Sequence, residues 1–284
     1  MPVALVSDTC HYLPRELVER NAIHQVSLYV HHDGEADRES SITDLGAYYR
    51  RLADLSSLPT TSQPSIGDFL EVYEPLIESG HEIVSIHLSG GISGTARSAM
   101  QAREALGDNA SKVHVIDSRT ACGGEALMLL AAASAIRAGR DGAAVAAQAQ
   151  QARDALKLWF AVDTLEYLRR GGRIGGAQAW MGNALQIKPI LTVESEITPI
   201  ERVRTSKKAF EKLAGLLEEC KRLGNDGWVV QHIQAPEQAA AMVERGRQIF
   251  GTEPVIVAEL GPVIGTHVGP GLLGTGGVPR SLLE

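Results

Sequence analysis

The chain has 284 residues, 44% of them hydrophobic, 21% charged and 5% aromatic, with a formal net charge of -7. That length supports one large or two modest domains, each with a true core, and the acidic balance argues against general nucleic-acid binding. The cysteines number 3 (Cys10, Cys122, Cys220), an odd count without zinc-site spacing, which reads as reduced thiols in a cytosolic protein.

Taken in chain order, PVALVS at 2–7 is a buried strand ending at Asp8. Pro14 suits the first turn of a helix over PRELVERN, and HQVSLYVHH at 24–32 is strand-like, followed by polar DGEADRES. Thr43 is placed to cap a helix through Leu55, after which TTSQPS at 60–65 breaks the pattern as a polar loop. Ser65 and Asp68 have the spacing of a capping box for a helix over 66–79, closed by Gly80. HEIVSIHLS is the next strand, and a helix runs from the following loop to Leu106, with Gly107 beyond its end. KVHVID is a strand. CGGEALMLLAAASAIRAG is an almost wholly apolar helix whose longest apolar run, 126–136, is too short to cross a bilayer, and a more polar helix follows at about 141–157. The opening MPVALVSD lacks the basic-then-apolar pattern of a secretory leader.

Strands alternating with helices predict βαβ units and a doubly wound, mostly parallel sheet over 1–157. The second half, 158–284, has a different grammar. LWFAV is a strand, DTLEYLRRGGRIGG a helix and a tight turn, AQAWMGNAL a helix, and IKPILTVES with ITPIERVRT a hairpin, so this sheet is mixed. An amphipathic helix over 205–223, the strand WVVQHI, a helix at 236–250 and the strand PVIVAEL form a further βαβ unit. The end, GPVIGTHVGPGLLGTGG, is glycine-dense and carries a single histidine. The predicted class is α/β, with two α/β domains.

The stretch with the clearest chemistry is LSGGISGTARSA at 88–99. A strand feeds a glycine- and hydroxyl-rich loop that opens a helix, where unpaired N–H groups and the helix dipole favour an anion. Ser93 and Thr95 add hydroxyls, and Gly91 and Gly94 leave room for a ligand. An ordinary capped turn fits the same residues. Gly91 to Thr95 nearly matches a nucleophile elbow, but Thr stands at its last position. Gly269 to Gly274 spells G-x-G-x-x-G without room for the helix that motif needs. His31-His32-Asp33 reads as a polar strand end rather than a metal site. Thr61 and Ser62 stand in a loop of hydroxyl donors, and His267 sits among glycines where it could donate to an anion. Arg169, Arg170, Arg173, Lys188, Arg202, Arg204, Lys207 and Lys208 are dense for an acidic chain, as either a solvated face or a docking face for an acidic partner.

SDTCHYLP, TTSQPS, SGGISGTARSA, HVIDSRTACGGEAL, FAVDTLEYLRRGGRIGGAQAWMGNALQIKPIL, ITPIERVRTSKKA and ELGPVIGTHVGPG, in this order, resemble the DegV family of fatty-acid-binding proteins across nearly the whole chain. Cys10 and Cys122 stand where the family often has small or hydroxyl residues, and Gly-Gly-Ile between Ser89 and Ser93 is more flexible than its usual form. The resemblance implies two α/β domains with one fatty acid between them and no chemistry of the chain's own. Its carboxylate would be held by Thr61, Ser62, Ser93, Gly94, Thr95 and His267, and its acyl tail would lie in an apolar tunnel. It further implies presentation of the fatty acid to a separate fatty acid kinase, with Arg173, and less directly Arg170 and Arg204, on the kinase-facing surface. No cofactor, metal or catalytic residue is expected. The competing expectation is an acyl hydrolase or transferase using Ser93 and His267.

Overall fold

The computed structural model describes residues 1–54 and 57–284, and for 182–186 the backbone alone. In the first part of the chain, β1 (Val3–Asp8), α1 (Arg15–Arg20), β2 (Ile23–Val26), β3 (Tyr29–His32), β4 (Glu35–Arg38), α2 (Leu45–Asp54) and β5 (Thr60–Ser62) are followed by α3 (Ile66–Glu78), β6 (Glu82–His87), α4 (Thr95–Ala105) and β7 (Val113–Asp117). Two helices, α5 (Gly123–Arg137) and α6 (Gly142–Ala155), lead to β8 (Lys157–Ala161), α7 (Glu166–Arg170), β9 (Lys188–Glu194) and β10 (Glu196–Val203). The chain then runs through α8 (Ser206–Arg222), β11 (Gly227–His232), α9 (Pro236–Phe250), β12 (Ile256–Glu259), α10 (Pro262–Val268) and β13 (Leu273–Val278).

The fold is α/β, with a parallel sheet, a mixed sheet and flanking helices. The parallel sheet has the order β2-β1-β6-β7, and the mixed sheet the order β10-β9-β8-β13-β11-β12. Phe69, Tyr73 and Ile77 of α3 and Ala99 and Ala102 of α4 cover one face of the parallel sheet. The other face, with Leu5, Val84, Ile86 and Ile116, packs on α5 and α6, and so do Leu158, Val229 and Val278 of the mixed sheet. Helix α5 is thus enclosed from both sides, and every residue from Gly123 to Ala135 is buried. That is why its sequence has no polar face. On the far side of the mixed sheet, Leu213 and Leu217 of α8 and Met242 of α9 pack around Trp228.

Several sequence expectations hold in detail. Ser65 and Asp68 form the reciprocal capping box of α3, and Gly80 follows that helix at φ 85°. Thr205 caps α8, and β9 and β10 form the expected antiparallel hairpin.

Other elements differ. The strand expected over 24–32 is two strands, β2 in the parallel sheet and β3 in a small antiparallel sheet of order β4-β3-β5. Asp33 and Gly34, both at positive φ, form the turn between β3 and β4, so polar DGEADRES supplies a hairpin strand. TTSQPS likewise supplies β5, paired to β3. Asp44, not Thr43, caps α2, accepting from Ala47 N at 2.8 Å, and the expected end at Leu55 lies outside the described residues. AQAWMGNAL lies in a 3₁₀ helix, Gly175–Gln186. The glycine-dense end is helix α10 followed by a central strand, β13, antiparallel to both β8 and β11. Glycine is required in that strand: a Cβ on Gly276 would stand 2.1 Å from Lys157 O.

Glu125 sits inside α5 at 0% exposure and accepts the Ser7 hydroxyl at 3.0 Å. Burial, then the charge of Asp8, raises its pKa well above the ordinary glutamate value. Glu125 therefore keeps its proton near Asp8, whose oxygens accept from Cys10 N and Leu88 N. The native state holds a proton that the unfolded chain releases above about pH 4.5, so stability falls as pH rises from there toward the folded pKa, by at most about 1.4 kcal/mol per pH unit. Glu125→Gln keeps the shape and the donor without the ionisable proton. In urea titrations it should flatten the loss of stability as pH rises above about 5. An unchanged pH slope would contradict this account.

Candidate functional site

Four segments from distant parts of the chain converge on one cavity. The first is the turn between β6 and α4. Ser89 O accepts from Ile92 N at 3.2 Å and from Ser93 N at 3.1 Å, which curls the loop into a single turn. Ser93 Oγ then meets Thr95 Oγ1 at 2.8 Å and accepts from Thr95 N at 3.3 Å. A Cβ on Gly94 would stand 2.5 Å from Gln63 Nε2, so that glycine accommodates the side chain lying over it. Gly91 likewise makes room for protein, since a Cβ there would meet Ser195 O, at the tip of the β9–β10 hairpin, at 2.3 Å. The space expected for a ligand at Gly91 is thus taken by the hairpin.

The second segment is β5. Strand pairing with β3 puts Ser62 Oγ 2.7 Å from His31 Nε2 and leaves Thr61 facing α10. The third is α10 itself, whose last turn carries His267, with Nε2 2.7 Å from Thr61 Oγ1. The fourth is the RRGGRI turn after α7. Gly171 lies against the imidazole, and a Cβ there would be 2.3 Å from Nδ1. Arg173 reaches from this turn to Ile92 O at 3.2 Å, and also donates to Gly171 O at 2.8 Å.

The cavity holds about 890 Å³ of empty space, part of it open to solvent. Thr61, Ser62, Ser93, Arg173 and His267 form one polar group in its lining, and Phe160, Leu168, Val193, Ile197, Val263 and Leu272 are among the apolar residues of its walls. Gly94 and Thr95 shape the turn beside Ser93, and Thr95 is buried at 0% exposure. Arg173 is half-buried in the cavity wall, whereas Arg170 and Arg204 are exposed. Within the same basic set, Arg169 pairs with Glu166, Lys188 pairs with Asp163, and Arg202 lies over the Trp180 ring. Of the other polar residues in the lining, Gln63 stands in the TTSQPS loop and Cys122 among the departures from the family pattern, whereas Gln231 is missed by sequence reasoning, since no local pattern marks it.

Burial, and after it the neighbouring Arg173 cation, lowers the His267 pKa to about 4. The ring is therefore neutral near pH 7. With its proton on Nε2, His267 donates to Thr61 Oγ1 and leaves the threonine hydroxyl proton free for an anion. The guanidinium of Arg173 adds positive charge beside a neutral imidazole. The cluster offers hydroxyl donors and one cation at the edge of an apolar space, an arrangement that can accept a negative charge.

The cavity is a small-molecule-sized pocket in an α/β protein of three sheets, and the comparisons with known proteins agree with the fold. The DegV family model matches residues 2–280, and the chain belongs to that family. Protein DegV of Bacillus subtilis is 36% identical over 278 residues, covering 96% of this chain and 98% of that one. Among solved structures, DegV of Bacillus subtilis, a fatty acid binding protein, superposes with a TM-score of 0.87 at 35% identity, over 97% of this chain and 98% of that one. A DegV family protein from Thermus thermophilus, described by its fatty acid binding, gives a TM-score of 0.87 at 33% identity, over 98% of this chain and 99% of that one.

An NMR titration of the ligand-free protein should find His267 neutral above about pH 5, with a midpoint of about 4. Arg173→Gln should move that midpoint upward, because it removes a cation that disfavours the imidazolium. A midpoint near the ordinary histidine value, unmoved by the substitution, would contradict the geometry.

Proposed function

We propose that this chain is a carrier that binds one long-chain fatty acid. The carboxylate lies against Thr61, Ser62, Ser93 and His267, at the turn formed with Gly94 and Thr95. The acyl chain occupies the apolar cavity between an N-terminal domain, 1–157, and a C-terminal domain, 158–284. The observation that carries this reading is the placement of neutral-histidine, hydroxyl and guanidinium groups at one part of a mainly apolar cavity. The fatty acid binding of its structural relatives supports it.

The energetics divide the work. Burial of an acyl chain gains roughly 0.8 kcal/mol per methylene, so about a dozen methylenes give ~10 kcal/mol before association costs are deducted. The head group adds less, but a desolvated carboxylate without donors would cancel much of that gain. Tail burial sets the affinity, and the polar cluster sets which end of the ligand lies there.

Solvent extraction and mass spectrometry of the purified protein should yield a fatty acid in about one copy per chain. Thr61→Ala and His267→Ala should each weaken binding about tenfold or more, the scale of one hydrogen bond to a charged group. Absence of fatty acid, together with no uptake when it is added, would contradict the reading.

We further propose that the loaded carrier presents its fatty acid to a fatty acid kinase, with the exposed Arg170 and Arg204 and the neighbouring Arg173 forming the docking side. Arg173 is also part of the cavity wall, so Arg204→Glu is the cleaner test. It should leave fatty acid binding unchanged and reduce acyl phosphate formation several-fold in an assay with a kinase. The alternative acyl hydrolase finds little support in the geometry. Ser93 bonds Thr95, His267 bonds Thr61, and Nδ1 of His267 has no acidic partner among the described residues.

A further inference from the structure

The cavity lining carries a polar side chain that the head-group cluster does not use. Gln231 of β11 lines the cavity and is 3% exposed. Its Oε1 accepts from Gly123 N, at the start of α5, at 2.5 Å. A backbone N–H can only donate, so this contact fixes the amide with its oxygen toward α5 and its NH₂ group turned away from it. That Nε2 is buried and has no hydrogen-bond partner among the described residues. Two donor hydrogens thus stand idle beside an apolar space, where an unpaired polar group is costly.

Strand register places the amide along the cavity. Gln231 stands opposite Gly274 in the pair of β11 and β13, and Gly274 stands opposite Phe160 in the pair of β13 and β8. Opposed residues share a face of the sheet, so the three form one row, and all three line the cavity. Gly274 supplies no side chain, which leaves space beside the amide. Leu272 lies two residues from Gly274 on the same face, toward α10 and His267, and Leu158 lies two residues from Phe160 in the other direction. Both also line the cavity, each roughly 7 Å from the row at ~3.3 Å per residue. Apolar wall therefore flanks Gln231 on the side of the head-group cluster and on the side away from it. A chain lying along the cavity passes this amide with interior carbons rather than with either end.

We propose that Gln231 Nε2 is a subsite for an oxygen substituent on the acyl chain, and that the ligand class it selects is a long-chain fatty acid with a ketone or hydroxyl at an interior carbon. The inference rests on the fatty acid reading above and names a ligand class within it. A ketone oxygen only accepts, which matches an NH₂ group that only donates. A methylene at the same place leaves the donors unpaired. A ketone at any other carbon meets apolar wall and loses its hydrogen bonds to water without replacement. The site thus reads where the oxygen stands along the chain.

The test is displacement of a fluorescent fatty acid by a set of saturated eighteen-carbon acids, each with one ketone, at positions stepped along the chain, with the unsubstituted acid as the reference. All the isomers carry the same polar group, so differences among them report the wall they meet. Wild type should bind those with the ketone in one narrow window of interior carbons at least about tenfold more tightly than the rest. The infrared carbonyl band of a ketone in that window should shift to lower frequency on binding. Gln231→Met, close in shape and without the amide, should abolish both the window and the band shift, and should bind the unsubstituted acid a few-fold more tightly. Gly274→Ala, whose added methyl would stand 3.4 Å from Phe160 Cβ and so fits, narrows the space beside the amide and should lower the preference several-fold, which keeps the test open if Gln231→Met does not fold. Failure of wild type to bind any acid of the set, the reference included, would overturn the carrier reading itself. Binding of the reference with all ketone positions alike, or a window and band shift that persist in the folded variants, would overturn the Gln231 subsite alone.

Discussion

The hydrogen bond between Thr61 and His267 is the contact on which the candidate site depends. A carboxylate leaves water only where donors are already in place, and here the donor pair is assembled from a strand and a helix about two hundred residues apart. Much of the surrounding structure holds those two elements in register. β5 is pinned to β3, and Ser62 is tied to His31 across the same pair. At the other side, Glu39 is buried and accepts from Val263 N at 2.8 Å and Tyr12 OH at 2.7 Å, which anchors the first turn of α10. Tyr49 adds hydrogen bonds to Leu260 O and Gly261 O just ahead of that helix. The small three-stranded sheet is the frame that brings Thr61 to the histidine.

The electrostatics of the cluster follow from this framing. Gly171 lets the imidazole pack against the turn after α7, where no water reaches Nδ1, and desolvation keeps the ring neutral. A neutral histidine can pass a hydrogen bond through Thr61 without bringing a full charge into an apolar space. The full charge comes instead from Arg173, whose guanidinium is bonded to Ile92 O and Gly171 O and braces the turn that carries Ser93. Charge and hydroxyl donors are thus fixed by the same few contacts. Preorganisation of this kind reduces the ordering cost of binding.

Helices with strong local signals are legible in the sequence: the Ser65–Asp68 box, the Thr205 cap and the apolar run of α5 each state their role within a few residues. The parallel sheet follows from alternation of strands and helices. β13 is not legible, because LGTGGV has almost no strand propensity; its glycines are there to let β8 and β11 approach, a demand visible only once the neighbours are placed. The small sheet is hidden because β4 is wholly exposed and β5 is three residues long, so neither shows an apolar period, although Asp33-Gly34 is a hairpin signal. The site residues Thr61, Ser93 and His267 stand out as chemistry, and their family resemblance links them. The contact between Thr61 and His267 and the wall position of Arg173 are tertiary facts, and nothing local encodes them.

The carboxylate proposed to lie against Thr61 and His267 can be read by carbon-13 NMR of a bound fatty acid labelled at its carboxyl carbon. Its resonance should stay that of an ionised carboxyl well below the pH at which the free acid protonates, and should shift in Thr61→Val. A bound carboxyl that titrates as it does in solution, with a resonance indifferent to Thr61→Val, would contradict it.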